Sequence, residues 1–91
     1  MSLTARGAAT ARPSFAAVAE EHLDDVYRYL LYMTGNPHLA EDLAAETFER
    51  ALRRWRRFDP RRGAARTWLC QLARGAALDH AERHRHAAHR R

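Results

Sequence analysis

Residues 35–63 read GNPHLAEDLAAETFERALRRWRRFDPRRG, and their reading decides the fold. Leu39, Leu43, Phe48, Leu52 and Trp55 recur at helical steps, with Ala44 and Ala51 beside them. Asn36 is a favourable N-cap, and Pro37 stands at the first helical position, where its missing N–H costs nothing. Gly35 and Asn36 both tolerate positive φ and so close a preceding helix. At the other end, Asp59-Pro60 followed by Gly63 marks a turn and loop. This spacing predicts a helix from Pro37 to about Arg57.

Working outward, Phe15, Val18, Leu23, Val26, Tyr27, Leu30 and Leu31 recur at three- and four-residue steps and predict a first helix from Phe15 to Thr34. Ser14 caps it, and the helix is long enough to be broken in two. A third helix is expected from about Ala65 to Arg83, with Trp68, Leu69, Leu72, Ala73, Ala76 and His80 inward. The fold class is therefore all-α, a small bundle of three main helices. Residues 1–13 (MSLTARGAATARP) are small and patternless and read as a disordered leader. The helical domain spans 14–85. The polar stretch from His84 onward is expected to fray, and residues 86–91 read as a basic tail or the start of a linker to a second domain outside this sequence.

The 91 residues suffice for one small domain, and no repeat is visible. The net charge of +5 hides a polar layout. Residues 15–52 carry eight acids against Arg28 and Arg50, hence −6, whereas residues 53–91 carry twelve arginines against three acids, hence +9. The basic half has the composition of a nucleic-acid footprint, although a solvated basic face would look the same. All basic residues are arginine, which offers a planar fork to phosphates and base edges. Cys70 is the only cysteine, so no intrachain disulfide forms. There is no membrane-length apolar run and no signal-peptide core. A cytoplasmic protein is expected.

Asp42, Glu46 and Glu49 stand at i, i+4 and i+7 and share one helical face, with Ala45 among them and Glu41 adjacent. Arg50 and Arg53 can reach back to Glu46 or Glu49 and pair part of that stripe. The arginines Arg53, Arg54, Arg56, Arg57, Arg61, Arg62 and Arg66 follow, with Trp55, Phe58 and Trp68 among them. Clustered arginine binds polyanions by counterion release, and aromatic rings add stacking for single strands. Trp55 and Trp68 fall on apolar stripes and read as core; Phe58, at the helix end, is ambiguous. An unstacked base could be met at the loop, where Asp59 can accept from base amino groups and Arg61 and Arg62 can hold phosphates.

These residues carry a resemblance. Ala40-Glu41-Asp42-Leu43-Ala44-Ala45-Glu46-Thr47-Phe48, then Ala51-Leu52-Arg53, then Phe58-Asp59-Pro60-Arg61-Arg62-Gly63 resemble region 2 of bacterial sigma factors of the extracytoplasmic-function class. Thr67-Trp68-Leu69, Ala73-Arg74 and Asp79 extend the match, which covers about residues 15–85. The resemblance departs from the usual pattern at Ala45, where the family carries Gln, and at Gly75, where it carries Asn. It implies a role in transcription initiation, with no catalytic activity and no cofactor. Glu41, Asp42, Ala45, Glu46 and Glu49 would contact the basic clamp helices of the RNA polymerase β′ subunit. Arg57, Asp59, Arg61, Arg62, Arg66, Arg74, Asp79 and Arg83 would meet the nontemplate strand of the minus-ten promoter element. An anti-sigma protein is a further expected partner.

Two other classes compete. Leu39 to Phe48 superficially resembles the start of a stand-alone helix-turn-helix binder, but the sharp turn such a motif needs, usually with Gly, is absent, and Glu46-Thr47-Phe48 continues the helix. A metal-dependent enzyme would have to use His80, His84, His86 and His89, and no cysteine or carboxylate completes such a set. No nucleophile–base pair or phosphate-binding loop stands in a setting for catalysis.

Overall fold

The structure, a computed structural model, describes residues 13–89, with side chains described through residue 87. It contains α1 (Phe15–Thr34), α2 (Pro37–Arg53), a single 3-10 turn at Trp55–Arg57, and α3 (Ala65–His89). Each helix packs on the other two, which is the three-helix, all-α bundle expected. The leader expected at residues 1–13 lies, apart from Pro13, outside the described residues.

The ends of the elements are set locally. Ser14 Oγ accepts from the Ala17 N–H at 3.1 Å. The helix α1 then runs unbroken to Gly35, which takes φ 65° and donates its N–H to Leu31 O at 2.8 Å. A left-handed residue at this place favours glycine, which has no Cβ to clash. Asn36 Oδ1 accepts from the Leu39 N–H at 3.2 Å and starts α2 with Pro37 in its first turn. Only two residues join the helices, so α1 and α2 must lie side by side.

The second helix ends at Arg53, four residues short of the sequence expectation. The Arg54 N–H is shared between Arg50 O (3.1 Å) and Ala51 O (3.2 Å), and the chain tightens into the 3-10 turn. That tightening stacks Trp55 on Phe58, with centroids 5.2 Å apart and planes 16° from parallel. Trp68 of α3 completes the cluster at 5.8 Å from Trp55 and 5.0 Å from Phe58, and Phe15 of α1 meets Trp55 edge-on at 5.4 Å. Each such contact contributes about 0.5–1.5 kcal/mol beyond simple burial. The cluster pins the loop at residues 58–64 to one end of the bundle.

The core is Val18, Val26, Leu30, Ala40, Leu43, Ala44, Ala51, Leu69, Ala73, Ala76 and Ala77. More than half of these are alanine, which lets the helix axes approach closely. Thr47 is fully buried among them, its hydroxyl donating to Leu43 O at 2.7 Å. Two expected core residues are not there: Leu52 is 58% exposed and Leu23 is 50% exposed. Leu52 follows Leu43 by nine residues, half a revolution at 100° per residue, and so points away from the core. The third helix also continues past Arg83 to His89, through the stretch expected to fray.

Candidate functional site

Along α2, the acids expected on one face are outward-facing. Glu41, Asp42, Ala45 and Glu49 are exposed, and Glu46 is partly covered. Leu52, one apolar residue beyond that face, is the surface group that sequence reasoning missed; its half-turn offset from Leu43 could have revealed it. Asp42 also lines a shallow groove of about 670 Å³ between the start of α2 and the end of α3. His38, His80, His84 and Arg85 share that groove, and the His80 and His84 rings stack at 5.6 Å. Among the described residues, no group of three His, Cys, Asp or Glu could hold a metal ion.

Glu46 is not a free acid. Arg50 Nη2 donates to Glu46 Oε2 at 2.5 Å, and the same guanidinium reaches Asp79 Oδ2 of α3 through Nη1 at 3.0 Å. Arg83, also on α3, lies 3.8 Å from Glu46 Oε1. Partial burial works against the charged form of Arg50, but its hydrogen bonds to Asp79 and Glu46 outweigh that and hold it protonated beyond its ordinary range. Glu49 pairs loosely with Arg53 at 3.7 Å.

At the opposite end of α2, a cleft of about 280 Å³ is lined by Arg57, Phe58, Asp59, Arg62, Gly63, Ala64, Thr67, Trp68 and Gln71. Its shape follows from the loop. Asp59 Oδ1 accepts the Arg61 N–H at 2.9 Å and the Arg61 Nε–H at 3.3 Å, a local turn that holds the loop open beside α3. The Arg61 amide, then its guanidinium, pulls the Asp59 carboxyl below its usual range. Phe58 is buried, whereas Trp68 is half-buried and lines the cleft. Trp68 therefore serves both the core, as expected, and the cleft wall.

The residues expected to meet nucleic acid divide into four groups. Arg57, Asp59 and Arg62 converge on the cleft, and Arg61 stands beside it with 90% of its side chain exposed. Arg66 turns toward α1, 3.5 Å from Asp25. Arg74 is exposed three residues beyond Gln71 on the outer side of α3, while Asp79 and Arg83 lie on the α2 side in the ion-pair network with Arg50 and Glu46. Thr67, quoted above only as part of the motif Thr67-Trp68-Leu69, and Gln71 are cleft residues to which the sequence reading gave no site role; they stand at i and i+4, one turn apart beside the loop. Cys70 is partly covered, and burial pushes its thiol up, which makes it a poor nucleophile.

Fold and surface together define a class: a small helical module with an acidic face on one helix and an arginine-edged cleft at that helix's far end. The family model described as Sigma-70 region 2 matches residues 18–87, so the chain belongs to that family. It is 41% identical over 68 residues to the ECF RNA polymerase sigma factor SigM of Bacillus subtilis, covering 75% of this chain and 40% of that protein. It is 39% identical over 80 residues to the ECF RNA polymerase sigma factor BldN of Streptomyces coelicolor, covering 88% of this chain and 30% of that protein. With SigE of Mycolicibacterium smegmatis the identity is 37% over 75 residues, covering 82% of this chain and 28% of that protein. The chain thus spans less than half the length of these curated relatives. No solved structure matches it. Among the described residues, no helix is long and apolar enough to cross a membrane.

Proposed function

We propose that this domain acts in transcription initiation by joining RNA polymerase to melted promoter DNA. The α2 face of Asp42, Ala45, Glu46 and Glu49, with Glu41 and Leu52 at its edges, docks on the basic clamp helices of the β′ subunit. The cleft at the other end takes an unstacked base of the nontemplate minus-ten strand. An anti-sigma protein would act by covering the acidic face.

The observation that carries this reading is the separation of the two surfaces along α2. The acids occupy the exposed face of the helix, and Arg57, Asp59 and Arg62 gather in the cleft beyond its end. The cleft volume of about 280 Å³ suits one flat ring system better than a drug-sized ligand. Trp68 offers an aromatic wall for stacking, Thr67 and Gln71 offer hydrogen bonds to base edges, and Arg57 and Arg62 offer charge to phosphates. No observation favours a helix-turn-helix module, because α2 runs without a turn from Pro37 to Arg53.

The test is binding of the 91-residue chain to a β′ clamp-helix fragment. Asp42→Lys is the informative variant, since Asp42 is exposed and its replacement leaves the Arg50 network intact. At least a tenfold loss of affinity is expected, about 1.4 kcal/mol, with the helical circular dichroism unchanged. Wild-type affinity in this variant would mean that the docking face is elsewhere.

A further inference from the structure

Arg50 places its guanidinium between α2 and α3. Its side chain is only 18% exposed, so it is poorly placed to touch either partner. Its guanidinium nevertheless divides between two carboxylates of different helices, Nη2 toward Glu46 of α2 and Nη1 toward Asp79 of α3. A guanidinium favours two parallel hydrogen bonds to a single carboxylate when nothing competes for it. Asp79 is that competitor here, and it is itself 56% exposed. Arg83 approaches the other oxygen of Glu46 at 3.8 Å and adds a second cation to the same acid. The charge that Glu46 can show to an incoming basic surface therefore depends on how much of Arg50 is held elsewhere.

We propose that Asp79 sets the strength of the acidic docking face indirectly, with Arg50 as the positioning residue: by drawing off half of the Arg50 fork, Asp79 keeps Glu46 available to a basic partner helix. Asp79 thereby acts on protein docking from the helix that also flanks the nucleic-acid cleft, and its carboxylate is committed to Arg50 rather than to a base. This rests on the reading of α2 as the polymerase-docking face. Removing Asp79 leaves Arg50 to close bidentately on Glu46, so affinity for the basic partner falls although a negative charge outside the docking face is all that was lost. Arg50 itself cannot be replaced by lysine without loss of the divided geometry, because an ammonium is a point donor and not a fork.

The experiment measures the affinity of the 91-residue chain for the β′ clamp-helix fragment by anisotropy, with a minus-ten single strand as a parallel probe. Asp79→Asn should weaken clamp binding about three- to fivefold, the range expected for partly exposed ion pairs, and Asp79→Glu should restore it. In a Glu46→Gln background the Asp79→Asn effect should vanish, whereas in an Asp42→Ala background it should persist in full. A general loss of packing would instead weaken binding equally in both backgrounds. If Asp42→Lys abolishes clamp binding while Asp79→Asn leaves it unchanged, the Arg50 relay is wrong and the docking face stands. If Asp42→Lys also has no effect, the docking face is wrong and this inference falls with it. A larger effect of Asp79→Asn on the single strand than on the clamp would show that Asp79 reads DNA, which also overturns it.

Discussion

The cleft makes a quantitative claim about salt. Arg61 and Arg62 sit on the loop at its mouth, Arg61 with 90% of its side chain in solvent and Arg62 in the lining. If both neutralise phosphates of a bound single strand, each contributes about 0.7 to the slope of log K against log salt. Arg61→Ala with Arg62→Ala should then lower that slope by about 1.4. Over a fourfold rise in salt, from about 50 to 200 mM, the wild type should lose about sevenfold more affinity than the variant. Arg61 already pairs with Asp59 at 3.3 Å, but an exposed pair is worth at most about 1 kcal/mol and yields readily to a phosphate. The assay is fluorescence anisotropy of a labelled minus-ten nontemplate oligonucleotide across a salt series. Arg85→Ala is the control, because Arg85 lies in the groove beside Asp42, apart from the cleft. A double variant whose slope matches the wild type, or a control whose slope falls as far, would refute the assignment of the loop arginines to the strand.

Two further outcomes test the scaffold beneath the surfaces. Asn36→Ala removes the acceptor for the Leu39 N–H and should cost about 1 kcal/mol, lowering the thermal midpoint by about 4–8 °C for a domain of this size; an unchanged melt would show that the cap is dispensable. Asp59 has a depressed carboxyl pKa, so its hold on the Arg61 amide is fully present above the unfolded value, near 3.8, and is lost as pH falls through the lower folded value; the Arg61 amide resonance should therefore hold its position from pH 7 to about 5 and move only below about 4, whereas movement centred near pH 6 would contradict it.

Local chemistry carried much of this protein into its sequence. The Ser14 and Asn36 caps and the Gly35 stop act over three or four residues, and each stands where the sequence placed it. The shared face of Asp42, Glu46 and Glu49 was legible for the same reason, because helical spacing alone sets it. Periodicity was silent on how wide each buried stripe would be. Leu23 and Leu52 are apolar at plausible spacings yet half exposed, since a bundle of three helices covers only part of each circumference. The end of α2 was equally hidden: a 3-10 turn begins with the same pattern as an α-helix, and what favours it here is the stacking of Trp55, Phe58 and Trp68 across the bundle end.

Sequence by itself thus determined the helices, their caps, the acidic face and the arginine content of the loop, because each depends on neighbours within about one turn. Only the tertiary structure decided which of those charges are available. Glu46, Arg50, Asp79 and Arg83 look like members of two independent surfaces when read along the chain, and packing α3 on α2 joins them into one network. It likewise gathers Arg57, Asp59 and Arg62 with Thr67, Trp68 and Gln71 into a single cleft. Coulombic and hydrogen-bonding partners are set by distance in space, and residues thirty positions apart acquire that distance only when the helices pack.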